Sequence, residues 1–302
     1  MAAAPGTAPR TRGRPRSDLR IALLFIAPAS VGYVAFYLMP ALRGLWFSFT
    51  DQNLIGTGDF IGTANYERMF GDDLFWNALW VTVQYVLINI GVQMVLAIAV
   101  AVLLHRLTRS VVIRGIVLLP YLVANVVVAL VWFWMSDYSI GIVNVVLEEI
   151  GLDRVAFFGN PATAIATIAL INVWRFLGYT ALLLFAGLQM IPQQYYEAAA
   201  LDGASEWRMF WRITLPLLRP VLALVLVISV VGSFQIFDTV AVTTEGGPVN
   251  ATRVIYYYIY QQAFERFDLG YASAIAVFLV VLLAGIAYFQ LKIMRSDRSD
   301  LA

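Results

Sequence analysis

Residues 77–104 read Asn77-Ala-Leu-Trp80-Val-Thr-Val-Gln84-Tyr-Val-Leu-Ile-Asn89-Ile-Gly-Val-Gln93-Met-Val-Leu-Ala-Ile-Ala-Val-Ala-Val-Leu-Leu104, without one charged side chain. Crossing a hydrocarbon core about 30 Å thick takes about 20 mostly apolar residues, so this stretch spans a membrane. Five further apolar runs of similar length lie at about 19–42, 112–135, 162–188, 217–237 and 271–291. The expected fold is therefore an all-α integral membrane protein with six transmembrane helices. Composition agrees: 61% of the 302 residues are hydrophobic and 13% charged, against about 25% charged in a soluble domain.

The first run follows a basic tail, as in a cleaved signal peptide. Here the run is too long, contains Pro28 and Pro40, and lacks a small-residue cleavage site, so it reads as a retained span. The tails and the even-numbered loops carry Arg10, Arg12, Arg14, Arg16, Arg20, Arg106, Arg109, Arg114, Arg208, Arg212, Arg219, Lys292, Arg295 and Arg298, whereas the odd loops carry Arg68, Arg154, Arg253 and Arg266. Excess Lys and Arg marks the cytoplasmic face, which places both termini inside. Residues 1–18 form an arginine-rich cytoplasmic tail, 19–293 the six-span domain and 294–302 a second cytoplasmic tail.

Several function classes fall away on inventory. The net charge of +1 implies no nucleic acid partner, and the absence of cysteine excludes disulfides and thiolate sites. The only lysine, Lys292, is not preceded by a glycine-rich phosphate loop, so this chain hydrolyses no ATP through a Walker site. Acidic side chains avoid the spans, and the one histidine, His105, ends the second span. Proton-relay carriers place Asp, Glu or His at membrane depth, and an intramembrane metalloprotease needs His-Glu-x-x-His. Neither pattern is present.

The longest even loop, 189–216, reads as two short helices around a glycine. Pro192 suits a first turn and Glu197-Ala198-Ala199-Ala200 a helix interior. Gly203 suits the left-handed residue that ends a helix, Ser205 an N-cap, and Pro216 closes the segment. Trp207, Phe210 and Trp211 form an aromatic stripe, read as an interface anchor or a surface a soluble partner grips.

At these residues the chain resembles a family. Glu197-Ala198-Ala199, then Asp202-Gly203, then Ile213-x-Leu215-Pro216 is similar to the EAA loop of ABC-importer permease subunits. Val173-Trp174-Arg175, Gln189-x-Ile191-Pro192, Phe237-Asp238, Gly246-Gly247-Pro248 and Gly270-Tyr271-Ala272 resemble the carbohydrate-type branch, which includes maltose and glycerol-3-phosphate permeases. The resemblance implies a cytoplasmic coupling helix between spans four and five, seated on a separate ATPase. It also implies a second EAA-loop permease, two copies of a cytoplasmic ABC ATPase that bind ATP and Mg, and an extracytoplasmic solute-binding protein. No cofactor is expected on this chain, its surroundings are lipid, and its location is the bacterial cytoplasmic membrane.

Polar side chains at membrane depth mark the expected path. Asn172, Arg175 and Tyr179 share a helix face, Asn89 and Gln93 share another, and Asn125 lies midway along span three after Pro120. Span five ends Ser233-Phe234-Gln235-Ile236-Phe237-Asp238, mixing rings that stack on sugar C–H surfaces with groups that bind hydroxyls. For each residue, interhelical hydrogen bonding stands beside substrate contact. Arg175 has two readings: a solute ligand, which would suit an anion, or a cation paired with backbone carbonyls or a partner's carboxylate. Tyrosines between Thr252 and Phe267 read as an interface belt or as part of a docking face. The functional expectation is binding-protein-dependent import of a sugar or polyol; the alternatives are an anionic solute such as a glycerol phosphate, or an ATP-independent carrier.

Overall fold

A computed structural model describes residues 16–107 and 110–295, so most of the arginine-rich start and the end of the C-terminal tail lie outside the described residues. Among the described residues the chain is helical, with two isolated antiparallel bridges, Thr50–Phe60 and Asn53–Asp268.

The first apolar run forms α1 (Arg16–Tyr33) and α2 (Met39–Phe47), joined by a π-helical turn at Val34–Leu38. The turn has a chemical cause. Pro40 lacks an N–H and its ring crowds the carbonyl one turn back; the wider turn lets Met39 donate to the Val34 carbonyl instead. The short α3 (Ala64–Phe70) then leads into α4 (Asp73–Leu107), the longest helix of the fold, which contains the quoted stretch.

The third apolar run corrects the expectation of a continuous span. It divides into α5 (Val111–Leu122) and α6 (Asn125–Met135), bent by 85° at extended residues Val123 and Ala124. Pro120 removes a helical donor in the last turn of α5, and Asn125 heads α6 rather than lying midway along one helix. The described residues thus contain five helices long and apolar enough to cross a membrane, or six spans if the bent pair is one.

After α7 (Ile142–Glu149), α8 (Ala164–Leu188) packs along α4 more extensively than any other pair of elements. Small residues permit this: Ala97, Ala101, Ala169 and Ala181 are fully buried. Gly178 brings α8 against α5, where a Cβ would overlap the Val117 carbonyl oxygen.

The loop 189–216 contains α9 (Gln194–Leu201) and α10 (Glu206–Met209), followed by a second π turn at Phe210–Thr214 and α11 (Leu215–Phe234). Pro216 does not close the segment as expected. Leu215 donates to the Phe210 carbonyl across the π turn, the same accommodation seen before Pro40, and the helix continues through the proline. The described residues end with α12 (Asp238–Thr243), α13 (Ile255–Tyr260) and α14 (Leu269–Arg295).

Two apolar clusters hold the bundle. One gathers Phe75, Tyr85, Ile168, Phe234, Tyr258 and Ile275; the other Ala97, Leu104, Leu184, Leu188, Leu218 and Val225. Along α4 and α8 the two are separated by a layer of buried polar residues, Asn89, Gln93, Asn172 and Thr180, which Ser233 of α11 joins from within the first cluster.

Candidate functional site

That polar layer encloses a cavity of about 290 Å³ between α4, the α5–α6 break, α8, α11 and the start of α12. Of the residues expected along a path, Asn89, Gln93, Asn125, Asn172, Tyr179, Ser233, Gln235, Phe237 and Asp238 all line it. In α4 and α8 these residues lie about midway along the helix, whereas Ser233 and Gln235 come from the end of α11 and Asn125 and Asp238 from the first residues of α6 and α12.

The cavity side chains also tie helices together. Asn89 Nδ2 donates to Ser233 Oγ (2.9 Å), Gln93 Nε2 to Thr180 Oγ1 (2.6 Å) and Asn125 Nδ2 to Asp238 Oδ2 (3.0 Å). Asn172 Nδ2 donates to the Ile168 carbonyl (3.0 Å) and Thr239 Oγ1 (3.2 Å). The hydrogen-bonding reading and the cavity reading therefore coexist at the same residues. Asn89 Oδ1 is buried with no partner among the described residues, leaving an acceptor at the wall.

Two expected residues stand elsewhere. Phe234 turns into the first apolar cluster and is 4% exposed. Arg175 lies behind the wall, donating to the carbonyls of Val123 (3.2 Å) and Tyr121 (3.4 Å), with its guanidinium 4.8 Å from the Phe176 ring centre. Those carbonyls are left over where α5 ends, and the arginine satisfies them.

Sequence reasoning missed Tyr85, Tyr121, Phe176, Thr180 and Ser229 on the same wall. Tyr85 lies four residues before Asn89, and Phe176 and Thr180 continue the Asn172–Tyr179 face, so helical spacing could have found them. Tyr121 could not be found that way. It stacks on Tyr179 at 4.5 Å only because α5 folds against α8.

The second site is α9, which has no buried residue. Glu197 and Ala198 are exposed, and Leu201 is 90% exposed. Gly203 adopts φ +73°, and the Ala204 N–H returns to the Ala199 carbonyl at 2.9 Å, a left-handed helix stop. Ser205 Oγ accepts from the Arg208 N–H as an N-cap. Tyr196 hydroxyl meets Thr214 Oγ1 at 3.0 Å, joining α9 to the π turn before α11, and Arg106 pairs with Glu206 at 2.5 Å, joining the loop to α4. Ile213, Leu215 and Pro216 are half-buried on the helix that continues from it.

At the opposite end of the bundle Asp72 accepts hydrogen bonds from the hydroxyls of Tyr258 (2.5 Å) and Tyr271 (2.6 Å) and from the Leu74 N–H (2.9 Å). Burial alone would raise the Asp72 carboxyl, but these donors outweigh it and hold it below its usual range. Burial and the bond to Asp72 push the Tyr258 hydroxyl up to about 12.

A family model described as the binding-protein-dependent transport system inner membrane component matches residues 93–296. The chain belongs to this family. It is 34% identical over 283 residues to the trehalose/maltose transport system permease protein MalF of Thermococcus litoralis, covering 93% of this chain and 96% of the relative. The sn-glycerol-3-phosphate transport system permease protein UgpA of Salmonella typhimurium is 32% identical, over 90% of this chain and 93% of the relative. The crystal structure of a bacterial ABC transporter that imports the acidic polysaccharide alginate contains a chain with TM-score 0.81 and 25% identity, covering 94% of this chain and 99% of that one. A binding-protein-dependent inner membrane component is a multi-pass permease, which agrees with the apolar helices and with a polar layer enclosed between two apolar clusters.

Proposed function

We propose that this chain is the permease subunit through which a sugar or related polyol crosses the inner membrane inward, by alternating access, in an ATP-driven, binding-protein-dependent importer. The observation that carries the reading is the wall of the 290 Å³ cavity, which alternates rings (Tyr85, Tyr121, Phe176, Tyr179, Phe237) with amides and hydroxyls (Asn89, Gln93, Asn125, Asn172, Ser233, Gln235). Rings stack on the C–H faces of a pyranose, and amides pair with its hydroxyls. Relatives named for trehalose/maltose and for sn-glycerol-3-phosphate support a carbohydrate-class solute.

The second reading, an anionic solute, is favoured by the alginate-importing neighbour and by Arg175. It requires the guanidinium to leave the α5 carbonyls it now satisfies. Asp238 stands in the wall itself, which favours an uncharged solute.

Both termini face the cytoplasm in this reading, since the arginines concentrate on that side, and the loop 189–216 faces it too. Residues Glu197 to Gly203 form the coupling helix, with Ile213, Leu215 and Pro216 transmitting its movement into α11. The ATP and Mg sites lie on two copies of a partner ATPase, and this chain binds no cofactor. A second EAA-loop permease completes the path, and a solute-binding protein docks on the opposite face. A structural neighbour's complex with an alginate pentasaccharide-bound periplasmic protein supports the last assignment.

The test is ATP-dependent uptake by the assembled importer in liposomes. Asn172→Leu and Tyr179→Ala are expected to lower uptake by roughly threefold to tenfold each, the worth of one lost hydrogen bond or ring contact. Uptake by this chain alone, without ATP, would overturn the assignment.

A further inference from the structure

The aromatic stripe on α10 and the π turn after it is not used by either site above, and it borders a groove of its own. The groove, about 610 Å³, runs between the last turns of α4 (Val95, Ala99, Leu103) and the continuous helix carrying Trp207, Phe210 and Trp211. Its apolar side chains are open rather than packed: Val95 is 68% exposed, Leu103 53%, Trp207 70% and Trp211 50%. The Arg106–Glu206 pair closes one end.

Further charge lies on the helix beside the groove, outside its lining. Arg208 and Arg212 immediately follow Trp207 and Trp211, are exposed, and sit four residues apart, on one helix face. Neither has an ion-pair partner among the described residues. Arg106 differs, because Glu206 already neutralises it. An apolar slot in a membrane-spanning surface, with tryptophans at its mouth and two uncompensated cations beside them, has the form of an amphiphile with an anionic head.

We propose that this groove holds an acyl chain of an anionic phospholipid whose phosphate lies on Arg208 and Arg212. The assignment rests on the cytoplasmic placement of the loop 189–216, where anionic headgroups attract basic side chains. The tryptophans set the depth, since their rings favour the headgroup level. The lipid would thereby pack against the helix that continues from the coupling loop into α11.

The assembled importer in bilayer discs of equal phosphatidylglycerol and phosphatidylcholine, analysed by native mass spectrometry after detergent release, tests this. Retained phosphatidylglycerol in excess of phosphatidylcholine is expected. Each arginine replaced in R208Q/R212Q should reduce the excess about fivefold. Ala99→Trp fills the slot without touching the cations and should abolish retention, so the test survives if the double variant does not assemble. Equal retention of both lipids, unchanged by either variant, would overturn the site as ordinary lipid contact. Leu103→Cys, a unique thiol in this cysteine-free chain, checks the occupant: cross-linking to the second permease would give the groove to a protein helix instead. A membrane-impermeant thiol reagent on Ile55→Cys, an exposed position in the loop on the opposite face, reads the orientation separately, so failure of the topology is distinguishable from failure of the lipid site.

Discussion

Arg175 and Val123 meet across the break in the third apolar run, with the guanidinium donating to the Val123 carbonyl at 3.2 Å. The bent α5–α6 pair leaves carbonyls that no helical turn can satisfy, and inside a bilayer there is no water to replace it. One arginine on α8 supplies the missing donors, and the surrounding Tyr121 and Phe176 rings lie against its charge.

Removing that guanidinium should therefore destabilise the fold before it alters solute choice. Arg175→Ala is expected to cost about 1–3 kcal/mol, the worth of hydrogen bonds from a charged group, read as a lowered unfolding temperature in detergent. Arg175→Lys should recover only part of it, because a point charge cannot reach two carbonyls as a fork does. Unchanged stability with lost uptake of an anionic solute would return Arg175 to the path.

Gly203 makes a separate point about coupling. Its φ of +73° costs an L-residue about 1–2 kcal/mol locally, and its position faces open space, where no Cβ would collide. Gly203→Asp should insert normally yet abolish the rise in ATP hydrolysis that the loaded binding protein produces. Normal stimulation in this variant would rule out α9 as the coupling helix.

Gln93→Leu probes the polar layer. It leaves the Thr180 hydroxyl unpaired beside the cavity, at a stability cost of about 0.6 kcal/mol, the average for hydrogen bonds between membrane helices. Uptake should fall further than stability does, and comparing initial uptake rate with unfolding temperature separates the two.

The Asp72 cluster sets a pH window. Because its carboxyl is held below the usual range, its contribution is complete above the ordinary carboxylate pKa and disappears as pH falls through the lowered one. Tyr258, raised to about 12, contributes below pH about 10 and loses that contribution as pH rises toward 12. Asp72→Asn should flatten the acid side of a stability–pH curve while leaving neutral uptake intact.

Much of the fold was legible because hydrocarbon imposes a simple rule: long uncharged runs become helices. The left-handed stop at Gly203 and the cap at Ser205 were legible too, since both follow from the local chemistry of single residues. The stretch 112–135 was not. Pro120 announced a disturbance, but whether a proline kinks a helix, widens it into a π turn as at Pro40 and Pro216, or ends it depends on what can take up the orphaned carbonyls.

The sequence by itself determined the solvent, the helical class, the number of apolar runs and which side chains are too polar for lipid. Only the tertiary structure decided which of those side chains share a cavity. Helical periodicity gives a face along one helix, while the meeting of Tyr121 with Tyr179, of Asn125 with Asp238, and of Arg175 with the end of α5 depends on close approach between helices far apart in the chain. Gly178 and the buried alanines of α4 and α8 permit that approach, and the energy of packing, not any local propensity, selects it.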